Sequence, residues 1–424
     1  MLQHGTTLIE TQLTMTRLPA TKARVASLIA TRISNKRSNR CVATLTGLIF
    51  SIMLFSLSGN LAHASTKFTP WSLEQRSPFN VKVQQAKTQI YHPLKHAKQA
   101  WKICTLVPHL KDAYWIGIDY GLVQHARALN ITLELFEAGS YYEKDKQLSQ
   151  LSYCMNGDYD AILLGTVDPK LLASFHQPLT KPVIALVNRI DNHKVTTRIG
   201  VNWYQMGWFA GNFIKQDVNQ AKAQQVSVAL LTGPEKQGGS DWVEEGIMAA
   251  LQPASVPNSK NNKITISSIR HADNNRNLYR DQLYHLLKDQ TPDYILGSAV
   301  AIEAAVGELA IKQARHDSKL SSHSKQEPLP ASKIKLVSSY LSPAVLRGLF
   351  RGRVAFSSDD SVVLQGKLAI DVVVRELEGA KPFGDIGPAI QGLEGNVLKK
   401  HKLENSLAPA EFYPRYRVAS EKKL

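Results

Sequence analysis

The stretch KICTLVPHLKDAYWIGIDYGLVQHARALNITLELFEAG, residues 102–139, carries the reading on which the fold rests. Ile103–Val107 reads as a strand. Trp115–Leu129 reads as a helix, with apolar residues at Ile116, Leu122, Val123, Ala126 and Leu129, and Ile131–Phe136 alternates as the next strand. The same rhythm continues through a helix over Glu143–Met155, an apolar strand Ala161–Leu164 ending at Gly165, a short helix over Pro169–Phe175 and a buried strand Val183–Val187. Strands and helices that alternate across short turns form a parallel sheet with helices on both faces. After Asn202 the alternation restarts. Helices are expected over Tyr204–Phe213, Trp242–Leu251, Asn277–Leu287 and Ile302–Ala314, and strands over Val226–Leu231, Ile264–Ser268, Tyr294–Gly297 and Ile334–Ser338. A short extended piece, Ala355–Ser357, a long amphipathic helix, Val363–Leu377, and a final strand within Pro382–Leu393 complete the pattern. The expected class is α/β: two doubly wound parallel-sheet lobes with a ligand cleft between them, beyond the carboxyl ends of the strands.

A chain of 424 residues exceeds what one core usually serves, and 43% apolar with 20% charged residues is an ordinary globular composition. The formal charge of +16 is uneven. Residues 1–40 hold Arg17, Lys22, Arg24, Arg32, Lys36, Arg37 and Arg40 against Glu10, and residues 41–64 hold no charged side chain, which leaves +10 from Ser65 onward. Spread thinly, without a dense Lys/Arg stripe, that charge is a solvated surface and not a nucleic-acid footprint. The apolar run Val42 to Leu57 is followed by Ala62-His63-Ala64, a small-x-small pattern. The run is shorter than the ~20 residues that span a bilayer. Residues 1–64 therefore read as a signal peptide with a long basic leader, cleaved at Ala64-Ser65; an uncleaved anchor is the alternative. Residues 65–100, with Pro70, Pro78 and Pro93 and no apolar period, read as a linker or strap, and Arg315–Ser332 as an exposed insertion. Cleavage would remove Cys41 and leave Cys104, at the start of a strand, and Cys154, at a helix end. Both fall at the amino edge of one sheet, compatible with a disulfide and also with two buried thiols. No Cys/His pairing has zinc-site spacing, and no metal or cofactor is expected.

Loops that follow strands face such a cleft, and four of them carry aromatic residues. Tyr114 and Trp115 follow the strand ending at Val107, Tyr141 and Tyr142 the strand ending at Phe136, Trp203 and Tyr204 a strand-like Ile199–Val201, and Tyr340 the strand ending at Ser338. Aromatic rings at loop tips expose apolar area unless they contact something, in lobe-to-lobe packing or in a shared pocket. Electron-rich ring faces suit methylated ammonium groups, with Asp112 as counter-charge and Tyr hydroxyls as donors to an oxide oxygen. Gly233 to Ser240 lies between a strand and a helix but lacks the Gly-Lys-Ser/Thr ending of a phosphate loop; it reads as a cleft-lining turn with Ser240 or Asp241 capping the helix. Asp359-Asp360 reads as a helix cap near a hinge. No catalytic residue, nucleophile elbow or triad is expected.

Five strings go further than a fold pattern: VPHLKDAYW (107–115), AILLGTVDP (161–169), GVNWYQMG (200–207), GSAVAIEAA (297–305) and SSYLSPAVLRGL (338–349). From about Trp101 to Val418 the chain resembles the type I periplasmic-binding-protein family, in particular its trimethylamine-N-oxide-binding members. The resemblance implies a first lobe of 101–200 plus 358–382, a second of 201–357 plus 383–424, and three crossings between them. It implies a pocket of Asp112, Tyr114, Trp115, Tyr141, Trp203 and Tyr340 for trimethylamine N-oxide, with Tyr142 able to take the place of Tyr141. It also implies a periplasmic location and a partner, the periplasmic domain of a membrane sensor histidine kinase, through which the liganded protein induces anaerobic respiration on the N-oxide. The basic amino-terminal extension and the 315–332 insertion depart from the family pattern, and the insertion bears on the kinase-facing surface. A transport receptor for a sugar or betaine-like solute has the same fold and is the alternative.

Overall fold

A computed structural model describes residues 69–421 apart from 224, 253–263, 290, 321–332, 396–397 and 399–402. These belong to one compact unit, Lys67–Leu424. The signal peptide of 1–64, its cleavage site and most of the insertion lie outside the described residues.

The chain runs through β1 (Trp71–Ser77), β2 (Gln85–Tyr91), β3 (Lys102–Val107), α1 (Ala113–Leu129), β4 (Thr132–Glu137), α2 (Lys144–Asn156), β5 (Ala161–Leu164), β6 (Val183–Leu186) and β7 (Thr197–Ile199). It continues with α3 (Trp203–Gln220), β8 (Val226–Thr232), α4 (Ser240–Leu251), β9 (Ile264–His271), α5 (Arg276–Asp289), β10 (Tyr294–Gly297), α6 (Ala299–Leu320) and β11 (Lys335–Ser338). It ends with α7 (Pro343–Phe350), β12 (Phe356–Asp359), α8 (Val362–Leu377), β13 (Gly384–Gly387), β14 (Gln391–Leu393) and β15 (Arg417–Val418).

Two sheets result. The first has the order β15-β4-β3-β5-β6-β7-β13-β1-β2 and the second β14-β12-β11-β10-β8-β9. Strands β3 to β7 and β13 pair in parallel, as do β8 to β12; only the edge additions β15, β1, β2 and β14 run antiparallel. The central strands are apolar on both faces, as a sheet covered by helices on both sides demands; β5 and β6 are buried at every position. Each sheet is covered by a helix pair that meets at glycines. A side chain at Gly121 would strike the Val363 carbonyl and one at Gly366 the Ile118 carbonyl, so α1 and α8 approach backbone to backbone; Gly207 and Gly246 do the same for α3 and α4.

Three expectations need correction. Residues 65–100 are more than a linker: β1 and β2 form a hairpin that extends the first sheet, with Trp71 opposite Tyr91 and β1 paired to β13. The Pro382–Leu393 segment is two strands in different sheets. Residues 383–424 do not follow the second lobe as a block, since β13 and β15 hydrogen-bond into the first sheet and only β14 into the second. The chain crosses to the second sheet after β7 and after β13 and returns after β12 and after β14, so β15 adds a return to the three expected crossings. Among the described residues no helix is long and apolar enough to cross a membrane.

Candidate functional site

Every ring singled out in the sequence sits at the start of a helix or in the loop leading to one. Asp112 caps α1: its Oδ1 accepts the Trp115 backbone N–H at 3.1 Å, which fixes the first turn and the direction of Tyr114 and Trp115. Asn202 caps α3 by accepting the Gln205 N–H at 2.9 Å and so sets Trp203. Tyr141 comes from the β4–α2 loop and Tyr340 from the β11–α7 loop.

The fold brings Asp112, Tyr114, Trp115, Tyr141, Trp203 and Tyr340 to one cavity of about 50 Å³. Tyr114 is its centre. Its ring lies 6.1 Å from Trp115, 6.0 Å from Trp203 at an interplanar angle of 30°, and 5.2 Å from Tyr340 edge to face at 82°. The polar ends of the rings are tied down. Tyr114 Oη donates to Asp360 Oδ2 at 2.6 Å, Trp115 Nε1 donates to Tyr141 Oη at 3.1 Å, and Trp203 Nε1 donates to the Val187 carbonyl at 3.3 Å. Tyr141, 7% exposed, lines the cavity, whereas Tyr142, 58% exposed, does not.

Four polar atoms on the wall are left over. Asp112 Oδ2, Asn188 Oδ1, Gln237 Oε1 and Tyr340 Oη are buried and have no hydrogen-bond partner of good geometry among the described residues. Orphaned polar atoms inside a protein are costly unless a bound molecule satisfies them. Burial pushes the Asp112 carboxyl above its ordinary range, with His109 opposing. Acceptor oxygens, a phenol donor and several ring faces around a small space are groups that a compact solute carrying positive charge, methyl groups and one oxygen would engage.

Sequence reasoning placed the Gly233–Ser240 turn and the loop of Ser339 at the cleft but singled out none of the polar side chains of this wall. Asn188, Gln237, Ser298 and Ser339 all line the cavity, and each follows a parallel strand, the same position that singled out the aromatics. Asp360 was expected to cap a helix. The cap position is Ser361, at φ 52°, without a side-chain cap bond; Asp359 accepts the Ser361 N–H at 3.0 Å while Asp360 holds Tyr114. Likewise Gly239, not Ser240 or Asp241, occupies the cap of α4. Behind the first lobe's wall, Cys104 and Cys154 form a disulfide with a Cα–Cα distance of 6.1 Å, joining β3 to α2. No cluster of His, Cys, Asp or Glu among the described residues is arranged to hold a metal ion.

Comparison with known proteins places this geometry in a family. The periplasmic binding protein domain model matches residues 103–381. The periplasmic protein TorT of Escherichia coli (strain K12) is 35% identical over 325 residues, 76% of this chain and 86% of that protein. An ABC transporter solute binding protein from Bradyrhizobium sp. BTAi1, solved with bound bis-tris, superposes with a TM-score of 0.64 at 27% identity, covering 82% of this chain and 99% of that one. Two crystal structures of a TorS sensor domain–TorT complex also match. The one without ligand has a TM-score of 0.62 at 34% identity, and the one with TMAO (trimethylamine N-oxide) 0.60 at 33%; they cover 74% of this chain and 100% and 99% of theirs. With the family model spanning both parallel sheets and a relative of this similarity, the chain belongs to the periplasmic binding protein family and has its type I fold.

Proposed function

We propose that this protein is a periplasmic sensor of trimethylamine N-oxide that signals through a membrane histidine kinase of the TorS kind to induce anaerobic respiration on that compound. The observation that carries the reading is the small aromatic cavity with an unpaired carboxylate oxygen and an unpaired phenol. Methyl groups bearing the positive charge of the nitrogen would lie against the faces of Tyr114, Trp115 and Trp203, each contact contributing ~0.5–2 kcal/mol as water is excluded. Asp112 would face the charged end, and Tyr340 Oη would donate to the oxide oxygen. A TorT structure solved with TMAO in complex with a TorS sensor domain supports both ligand and partner. The solute acts only through its preference for one arrangement of the lobes, and that preference is what the kinase would read. The role is binding, not catalysis.

Similarity to a transporter's solute binding protein favours a second reading, a transport receptor for another small solute. The discriminating experiment is a thermal-shift screen, followed by calorimetry, of trimethylamine N-oxide, trimethylamine, glycine betaine and simple sugars against the exported form. The proposal expects the N-oxide to give the largest stabilisation, and amino-terminal sequencing of that form to begin at Ser65. A sugar response with none to the N-oxide would overturn it.

A further inference from the structure

The second lobe's contribution to the cavity wall includes a loop with glycines at 233, 238 and 239. Between β8 and α4 the chain turns through Gly233 to Gly239 with Lys236, Gly238 and Gly239 at φ of 56°, 65° and 149°. The Ser240 hydroxyl donates to the carbonyls of Pro234 and Gln237 and staples the turn. The two glycines lie against rings. A Cβ on Gly238 would stand 2.7 Å from Tyr141 Cε1 and 3.2 Å from Cζ; a Cβ on Gly239 would stand 3.0 Å from Cγ, Cδ1 and Cδ2 of Trp203. Tyr141 cannot simply retreat. Its hydroxyl accepts the Trp115 indole N–H, and its ring meets the fully buried His109 edge to face at 5.4 Å.

Tyr141 belongs to the first sheet's loops and Gly238 to the second's, so this backbone-on-ring contact spans the cleft. We propose that Gly238 and Gly239 determine specificity: lacking side chains, they let the loop close on Tyr141 and Trp203 and limit the cavity to a solute the size of a trimethylated amine head. The inference rests on the reading of the aromatic cavity as a site for such a solute. A methyl at position 238 would hold the loop off Tyr141, reopening the cleft and admitting larger relatives of the ligand.

The structure supplies a matched control. Gly352 has a φ of 64°, against 65° for Gly238, but a Cβ there would meet nothing within 4 Å. Gly238→Ala and Gly352→Ala therefore share a left-handed φ that disfavours alanine, and only the first meets a ring. Both, with wild type, are titrated calorimetrically with trimethylamine N-oxide and the bulkier glycine betaine, and measured by small-angle X-ray scattering with and without ligand. Gly238→Ala is expected to lose about tenfold or more in N-oxide affinity, to lose its preference over betaine, and to scatter as a more open particle. Gly352→Ala is expected to bind and scatter like wild type. If Gly238→Ala matches Gly352→Ala in affinity, preference and compaction, the inference is overturned. Should wild type ignore the N-oxide, the ligand reading falls while scattering still decides the loop: a ligand-free Gly238→Ala protein more open than wild type supports its role, and an equally compact one overturns it. If Gly238→Ala does not fold, the calorimetric preference of Gly239→Ala for the N-oxide over betaine decides instead, because its added carbon meets Trp203 beside α4 and alters the cavity wall; an unchanged preference overturns the inference.

Discussion

Tyr114 touches three other rings of the cavity, and its hydroxyl is held by a carboxylate on the segment joining the two sheets. That carboxylate, Asp360, is almost fully buried, and burial pushes it up to about 6, with Tyr114, Gln365 and neighbouring Asp359 as the groups around it. A carboxyl raised on folding favours the folded state most below its unfolded value, and that contribution is lost as pH rises through about 6. Asp360→Asn keeps an oxygen that can accept from Tyr114 and Gln365 without the buried charge. The variant is expected to gain stability over wild type at pH 8, on the order of 2 kcal/mol, with the gain shrinking as pH falls below about 6 toward the unfolded value; denaturant melts at pH 8 and at acid pH check the sign. Trp203→Ala removes a ring face whose indole N–H already has a protein partner, so its loss falls on packing and on the ligand. N-oxide affinity should drop by ~1–3 kcal/mol, and unchanged calorimetric affinity would remove the aromatic-cage reading.

At the scale of elements, the β1–β2 hairpin sets the entry to α3. Its turn reaches Asn202, whose Nδ2 donates to the Lys82 carbonyl at 2.9 Å and to Gln84 Oε1 at 3.0 Å while its Oδ1 caps the helix that presents Trp203. Lys82 also pairs with Glu245 on α4. Asn202→Ala removes the cap and both hairpin bonds together. It should lower stability by about 1–2 kcal/mol and weaken ligand binding in parallel, measured by melting and titration of one preparation. The Cys104–Cys154 bridge acts differently. It closes a segment with a sequence separation of 50, for which the chain-entropy account assigns about 4 kcal/mol, largely by restricting the unfolded chain. Cys104→Ser/Cys154→Ser is expected to unfold at clearly lower denaturant concentration while binding the ligand with near-native affinity, because neither sulfur lines the cavity.

Across the whole molecule, the charged centre lies where β1, β7 and β13 meet beside a crossing. Asp385 accepts from Arg76 Nε at 3.1 Å and Nη2 at 3.0 Å on one oxygen, and from Arg198 Nη2 at 2.7 Å on the other; Arg76 also donates to the Gly200 carbonyl at the start of the crossing. Burial opposes charge on Asp385, yet Arg198 and Arg76 hold its carboxyl below the ordinary range. Its contribution is thus present above the unfolded value and is lost as pH falls into acid. Asp385→Ala would leave two buried guanidinium groups facing each other, at a cost of ~3–5 kcal/mol in global stability. A variant with wild-type denaturant resistance would contradict this account of how strands from distant parts of the chain are held at the junction.

The alternation of strand and helix is written in the sequence because a covered parallel strand is apolar throughout and a covering helix repeats on one face, both over short windows. The aromatic members of the cavity were visible for a related reason: each stands just after such a strand, where a parallel sheet opens. Tertiary structure alone decided the rest. The polar, edge-forming β1 and β2 have no buried periodicity, and β1 finds its partner β13 some three hundred residues away. Gly384–Gly387 and Gln391–Leu393 read as one strand until the sheets claim them separately. Tyr141 and Tyr142 are chemically equal neighbours until a turn buries one, and nothing local marks Asp360 as the partner of Tyr114 or Gly238 as the neighbour of Tyr141. Periodicity records which side of an element is covered. Pairings across hundreds of residues, and contacts across a cleft, arise only when separate pieces of chain compete for the same space.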